Sequence, residues 1–133
     1  MTDWPGPLAA ITLFTEDLAA AREFYSRVFG LPVSYEDANS CVFTFSGTMI
    51  NLLQASEAVE LIAPATPGGP GSLPRMQFTL TVDDVDAKAA ELMAIGVPML
   101  NGPMDREWGI RTASFRDPAG TIWEIAASLT AAG

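Results

Sequence analysis

The chain has 133 residues, 49% of them apolar, and a formal charge of −9 from 16 acidic and 7 basic side chains. That length supports one domain with a real core and is too short for two independent domains of typical size. The acidic balance excludes nucleic acid as a partner, because phosphate binding needs a basic footprint; it either draws cationic ligands by long-range attraction or simply keeps the protein soluble.

Met1 to Pro7, with two prolines and a glycine, reads as an arm draped over or moving beside the first element. Leu8 to Thr15 is strand-like, with Ile11 and Leu13 alternating against Thr12. Asp17 is a natural N-cap for a helix carrying Leu18, Ala21, Phe24, Tyr25 and Val28 at helical spacing, and Gly30 a natural C-terminal stop. Strands follow over Pro32 to Tyr35, Cys41 to Phe45 and Thr48 to Leu53. Residues 55–74 connect the halves, and Ala63 to Pro74 holds too much Pro and Gly for a regular element.

The pattern then restarts. Met76 to Val82 is a strand, and Asp84 caps a helix with Val85, Ala89 and Leu92 on one stripe, ending at Gly96. Val97 to Leu100 reads as a strand and Asn101 to Gly109 as a long loop. Ile110 to Phe115 and Thr121 to Ile125 are strands joined by Asp117-Pro118-Ala119-Gly120, whose proline presets φ and whose glycine supplies a positive φ. Both halves therefore run β-α-β-β-β. Asp17-Leu18 recurs 67 positions later as Asp84-Val85, and Gly47 to Leu52 recurs 73 positions later as Gly120 to Ile125. Neither half covers both sides of its own sheet, so two βαβββ modules, about 8–54 and 75–128, are expected to share one domain.

The single cysteine, Cys41, allows no intrachain disulfide and suits a reducing compartment. No basic segment followed by an apolar one opens the chain, and no apolar run approaches the ~20 residues of a membrane span, so the expected address is the cytoplasm with no membrane partner. There is no histidine, so the usual general base and commonest transition-metal ligand are missing. The odd residue of the last strand is Glu124, between Trp123 and Ile125; a carboxylate there faces solvent or lines a cavity.

The segment Asp17-Leu18 to Phe24-Tyr25 and Gly30-Leu31, the run Val82-Asp83-Asp84-Val85-Asp86, and Phe115-Arg116-Asp117-Pro118-Ala119-Gly120 followed by Glu124 resemble the vicinal oxygen chelate superfamily. That group includes glyoxalase I, extradiol dioxygenases, methylmalonyl-CoA epimerase, fosfomycin-resistance transferases and the bleomycin-resistance proteins. The resemblance covers about Leu8 to Ala126. It implies an α+β fold whose two modules form a curved, half-barrel sheet around a ligand cavity. The metal positions of such enzymes fall here on Ala10, Asn51, Gln77 and Glu124. Alanine cannot ligate and neutral amides are weak ligands for Zn, Ni or Fe, so neither a metal nor another cofactor is expected. The pattern is nearest to the metal-free bleomycin-resistance branch, whose members sequester a drug without turning it over.

The resulting expectation is a metal-independent protein binding a small, cationic or aromatic, antibiotic-like molecule, assembled as a homodimer. Asn51, Gln77 and Glu124 are its polar anchors, unless they only satisfy one another. Strand parity turns Phe78, Leu80 and Val82 toward the helices, and Gln77, Thr79 and Thr81 into the cavity. Trp108 stacks on the ligand or anchors its loop. Phe14, Phe43, Phe45 and Met49 line the cavity, with ordinary core packing the alternative for at least half of them. Arg111 binds an anionic group or pairs with a surface acid. The competing function is a lyase- or isomerase-type enzyme, with Glu124 as catalytic acid or base or with an atypical metal site.

Overall fold

The computed structural model describes residues 6–129; most of the Met1 to Pro7 arm lies outside them. The described chain is α+β. It forms two four-stranded mixed sheets, neither closed into a barrel, within two compact units that divide between Gly71 and Ser72.

In the first unit, β1 (Ala10–Thr15), α1 (Leu18–Phe29), β2 (Val33–Glu36), β3 (Ser40–Phe45) and β4 (Thr48–Gln54) give a sheet ordered β1-β4-β3-β2. β1 runs parallel to β4, as it must when a helix carries the chain across the sheet, and the remaining pairs are antiparallel. Asp17 caps α1 by accepting the Ala20 N–H at 3.0 Å, and Gly30 ends it at φ 65°. Gln54 fixes the entry to the helix, donating to the Glu16 carbonyl at 2.8 Å and accepting the Leu18 N–H at 3.3 Å. The buried stripe of α1 covers one sheet face. Tyr25 stacks on Phe43 with centroids 5.9 Å apart, and Phe29 meets Phe45 edge-on at 5.0 Å. Cys41 is buried on this face, and burial pushes its thiol upward, away from the nucleophilic thiolate.

In the second unit, β5 (Gln77–Thr81), α3 (Val85–Ala94), β6 (Asn101–Asp105), β7 (Ile110–Arg116) and β8 (Ile122–Ser128) give the same order, β5-β8-β7-β6, again with only the first pair parallel. Asp84 caps α3 through the Ala87 N–H at 3.0 Å. Val85, Ala89 and Leu92 are buried with Ala113, Phe115, Trp123 and Ile125, and Phe78 lies 5.2 Å from Trp123, centroid to centroid. The β7–β8 turn closes on Asp117, which is buried and accepts the Ala119 and Thr121 N–H groups at 2.9 and 2.8 Å.

Two local expectations are corrected. Ala55–Leu61 forms a short helix, α2, at the head of the connecting segment. Its first turn has no side-chain cap, so the start signal is missing from the sequence. The strand expected over Val97 to Leu100 is displaced into the expected loop, where β6 begins at Asn101. The Val97 N–H bonds back to the Leu92 carbonyl and closes the helix, Pro98 has no N–H, and pairing with β7 starts only where Leu100 N–H reaches the Ser114 carbonyl at 2.7 Å. Gly102-Pro103 looked like loop chemistry, yet it forms an irregularity inside a strand.

Several surface carboxylates are tied to cations or donors. Arg22 holds Glu36 at 2.7 Å and Arg111 holds Asp86 at 2.8 and 2.9 Å, each lowering its carboxylate. The Asn39 N–H, Tyr35 hydroxyl and Ser40 hydroxyl lower Asp37 in the β2–β3 turn. Because the folded state depresses these groups, they stabilise it fully above their unfolded values of about 4 and lose that contribution as pH falls through the lower folded values. Denaturant unfolding followed from pH 7 to pH 2.5 is expected to weaken below about pH 4, with a shallower slope in Asp86→Asn. An identical slope in that variant would contradict the assignment for Asp86.

Candidate functional site

The register sorts each sheet into two faces. In the second sheet, Phe78, Leu80, Trp123, Ile125, Ala113 and Phe115 share the helix face. The opposite face carries Gln77, Thr79 and Thr81 from β5, Ile122, Glu124 and Ala126 from β8, Thr112, Ser114 and Arg116 from β7, and Asn101 and Met104 from β6. The parity expected for β5 holds. One row crosses all four strands as Thr79, Glu124, Ser114 and Asn101.

Glu124 is 9% exposed and Thr112 and Ser114 are buried more deeply, so this sheet face has a polar floor. Glu124 Oε1 accepts from Thr79 Oγ1 at 2.9 Å, and among the described residues Glu124 has no cationic partner. A buried carboxylate without a counter-ion is costly and is ordinarily paired. Its hydrogen-bond partner is Thr79; Gln77 stands opposite Ile122, is exposed, and belongs to the neighbouring row. Next to this row, Arg106 Nε donates to Thr112 Oγ1 at 2.9 Å.

The first sheet repeats the arrangement with different chemistry. Ala10, Thr12 and Phe14 from β1 share a face with Met49, Asn51 and Leu53 from β4 and with Val42 from β3. Thr12 stands opposite Asn51 as Thr79 stands opposite Glu124, and the Asn51 amide nitrogen reaches Thr12 Oγ1 at 3.5 Å. Asn51 Oδ1 is buried with no hydrogen-bond partner among the described residues. An orphan acceptor of this kind costs about 1–3 kcal/mol. Asn51→Leu is therefore expected to raise stability by ~1 kcal/mol while removing the acceptor, read from urea midpoints; a loss of 1 kcal/mol or more would show that the amide is already satisfied.

The remaining sequence candidates separate cleanly. Phe14 is half-buried and Met49 41% exposed, both on the Asn51 face. Phe43, buried, and Phe45, half-buried, pack under α1 on the other face. Trp108 is 70% exposed on the β6–β7 turn. Arg111 lies on the helix side of its sheet and spends its guanidinium on Asp86 and on Asp105 at 2.8 Å, which raise it further above its ordinary value. Where β4 meets α2, a cleft of about 470 Å³ is lined by Leu53, Leu61, Glu57 and Glu60, apolar walls beside two carboxylates.

The metal positions implied by the resemblance do not make a fitting donor set. Ala10 offers nothing, Gln77 and Asn51 offer neutral amides, and Glu124 is the lone carboxylate. Among the described residues no three His, Cys, Asp or Glu side chains are grouped so that they could hold a metal ion. Thr79 was expected on the cavity side but not as the partner of Glu124, and Arg106, Thr112 and Ser114 are added by the structure. The signal for Thr112 and Ser114 is present in the sequence, as alternation of Thr112, Ser114 and Arg116 with apolar Ala113 and Phe115.

Residues 8–125 match the family described as Glyoxalase/Bleomycin resistance protein/Dioxygenase superfamily. The chain is 33% identical over 123 residues to "Uncharacterized protein YraH" of Bacillus subtilis strain 168, covering 89% of this chain and 95% of that protein. A glyoxalase/bleomycin resistance protein/dioxygenase from Nocardioides superposes with a TM-score of 0.83 at 26% identity, over 96% of this chain and 87% of that one. TnmS3, an antibiotic binding protein from Streptomyces sp. CB03234, superposes with a TM-score of 0.72 at 23% identity, over 96% of this chain and 99% of that one, a likeness of fold.

Proposed function

We propose, starting from the fact that the chain belongs to the glyoxalase/bleomycin resistance protein/dioxygenase superfamily, that it is a metal-independent binding protein for a basic, aromatic, antibiotic-like small molecule. The observation that carries this reading is Glu124, a carboxylate 9% exposed, steadied by Thr79 and lacking a cationic partner among the described residues. A ligand ammonium or amidinium is the counter-ion it lacks, and the charge-assisted hydrogen bond so formed is worth roughly twice a neutral one. Trp108, exposed on its turn, offers an aromatic face for stacking. The acidic cleft at Glu57 and Glu60 and the net charge of −9 raise the local concentration of cations. The antibiotic-binding role printed for TnmS3 is consistent with this reading. The reading includes a homodimer, since β5 and β6 are open edges of the second sheet.

The reading is tested by a thermal-shift screen of basic aromatic antibiotics, with each stabilising compound recovered and weighed by mass spectrometry. One compound class is expected to raise the melting temperature in proportion to the logarithm of its concentration and to be recovered unchanged. Glu124→Gln, which keeps an acceptor for Thr79, is expected to weaken that binding by about 10- to 100-fold and to leave the unliganded protein as stable or more so. Equal affinity in Glu124→Gln would sink the assignment.

A second reading has one observation behind it. Thr79 orients Glu124 through one oxygen and leaves the other unbonded among the described residues, which is how a general base is presented. Conversion of a screened compound, abolished in Glu124→Gln, would replace the binding reading with this one.

A further inference from the structure

We propose that Arg106 forms an anion subsite on the same sheet face as Glu124, taking a carboxylate or phosphate group of the ligand. The inference rests on the reading of that face as a ligand surface and deepens it, since it makes the ligand bipolar, basic at one end and acidic at the other.

In a chain with 16 acids and 7 bases, carboxylates are in excess as partners for each cation. Arg22, Arg27 and Arg111, and the Lys88 ammonium, each take one or more, whereas Arg75 and Arg116, both exposed, take none among the described residues. Arg106, half-buried, has none among the described residues. It is held instead by two neutral oxygens, Thr112 Oγ1 at 2.9 Å and Asn101 Oδ1 at 3.4 Å. Neutral acceptors aim the group without cancelling its charge. A guanidinium has five donors in a planar fork, so after these two contacts enough remain for a two-point grip on a carboxylate or phosphate.

The backbone beneath it is fixed as well. The Arg106 N–H donates to the Ile110 carbonyl at 2.7 Å, and the Arg106 carbonyl accepts from Gly109 at 3.1 Å, closing the turn that carries Trp108. A pre-aimed side chain loses less freedom when a ligand arrives. Arg111, on the same strand pair, is the contrast: Asp86 and Asp105 take its Nε and both terminal nitrogens, and it has no spare charge to offer.

The register sets the spacing. Ser114 stands opposite Glu124, so Thr112, beneath the Arg106 head group, is its diagonal neighbour at roughly 7–8 Å. Glu124 and Arg106 are not ion-paired among the described residues, so a ligand carrying opposite charges at its two ends can meet both.

The test uses the full chain, with phenyl phosphate, benzoate and uncharged phenol as probes. In the wild type, the Arg106 Nε–Hε resonance is expected to shift saturably with phenyl phosphate or benzoate and not with phenol; the tighter of the two names the acidic group. Arg106→Gln is expected to weaken anion binding at least 10-fold, Arg106→Lys to restore part of it, and Glu124→Gln to bind the anions at least as tightly as wild type. An unmoved Arg106 resonance, absence of saturable anion binding, or unchanged affinity in Arg106→Gln overturns the proposal. If Arg106→Gln fails to fold, the wild-type resonance decides alone. Failure of the underlying reading shows separately, as unchanged affinity of Glu124→Gln for basic aromatic compounds.

Discussion

Gly102→Ala is expected to cost about 3 kcal/mol or more, measured as a shift of the urea midpoint at unchanged slope. Gly102 holds φ +80°, a conformation that costs a residue with a Cβ roughly 1–2 kcal/mol. The added Cβ would also run into the Thr112 carbonyl oxygen, with the Ala113 Cα 2.8 Å and its Cβ 3.1 Å away. The Thr112 oxygen and Ala113 Cα are backbone atoms of the neighbouring strand, and the Ala113 Cβ is fixed to them, so none can rotate aside and β6 has to lift from β7. Asn101 and the Arg106 turn are attached to β6, so the polar face should lose order together with stability. Gly96→Ala separates the two causes. Its φ is +91° but no atom lies within 4 Å of the added Cβ, so it should show the conformational cost alone. Equal losses in the two variants would contradict the close-approach argument.

Trp123→Ala is expected to be the other large loss, about 3–5 kcal/mol. The indole is 2% exposed, the largest of the deeply buried side chains, and packs on Phe78 at the centre of the helix face. Removing it leaves a cavity that Ala113, Phe115 and Ile125 can fill only by moving strands tied by their register. Because Glu124 follows directly on β8, the same variant should also weaken any ligand that depends on Glu124, whereas Glu124→Gln changes binding without this loss of stability. A Trp123→Ala protein within 1 kcal/mol of wild type would show that the second sheet is not built around this ring.

The internal repeat made most of the architecture legible. Asp17 and Asp84 both cap their helices, and the four-strand order is the same in each unit because the same β-α-β-β-β pattern is written twice. What failed was local. α2 has no cap to announce it, and β6 starts with Asn-Gly-Pro, residues that elsewhere mark turns. Glu124 was legible because a lone acid between Trp123 and Ile125 breaks the apolar pattern of its strand. Its partner was misjudged. The resemblance drew attention to Gln77, whereas parallel pairing puts Thr79 opposite Glu124, and the repeat offset linking Thr12 to Thr79 already pointed there. Arg106 was illegible in principle, since its role depends on which oxygens meet it after β6 and β7 pair, and sequence spacing alone does not fix that.

The most direct test of the account is a calorimetric titration of the best-stabilising basic aromatic compound into wild type and Glu124→Gln, each in excess chelator. The account predicts saturable binding that the chelator leaves intact, weakened about 10-fold or more by the substitution. Binding that needs an added divalent ion, or that is the same in both proteins, would contradict it.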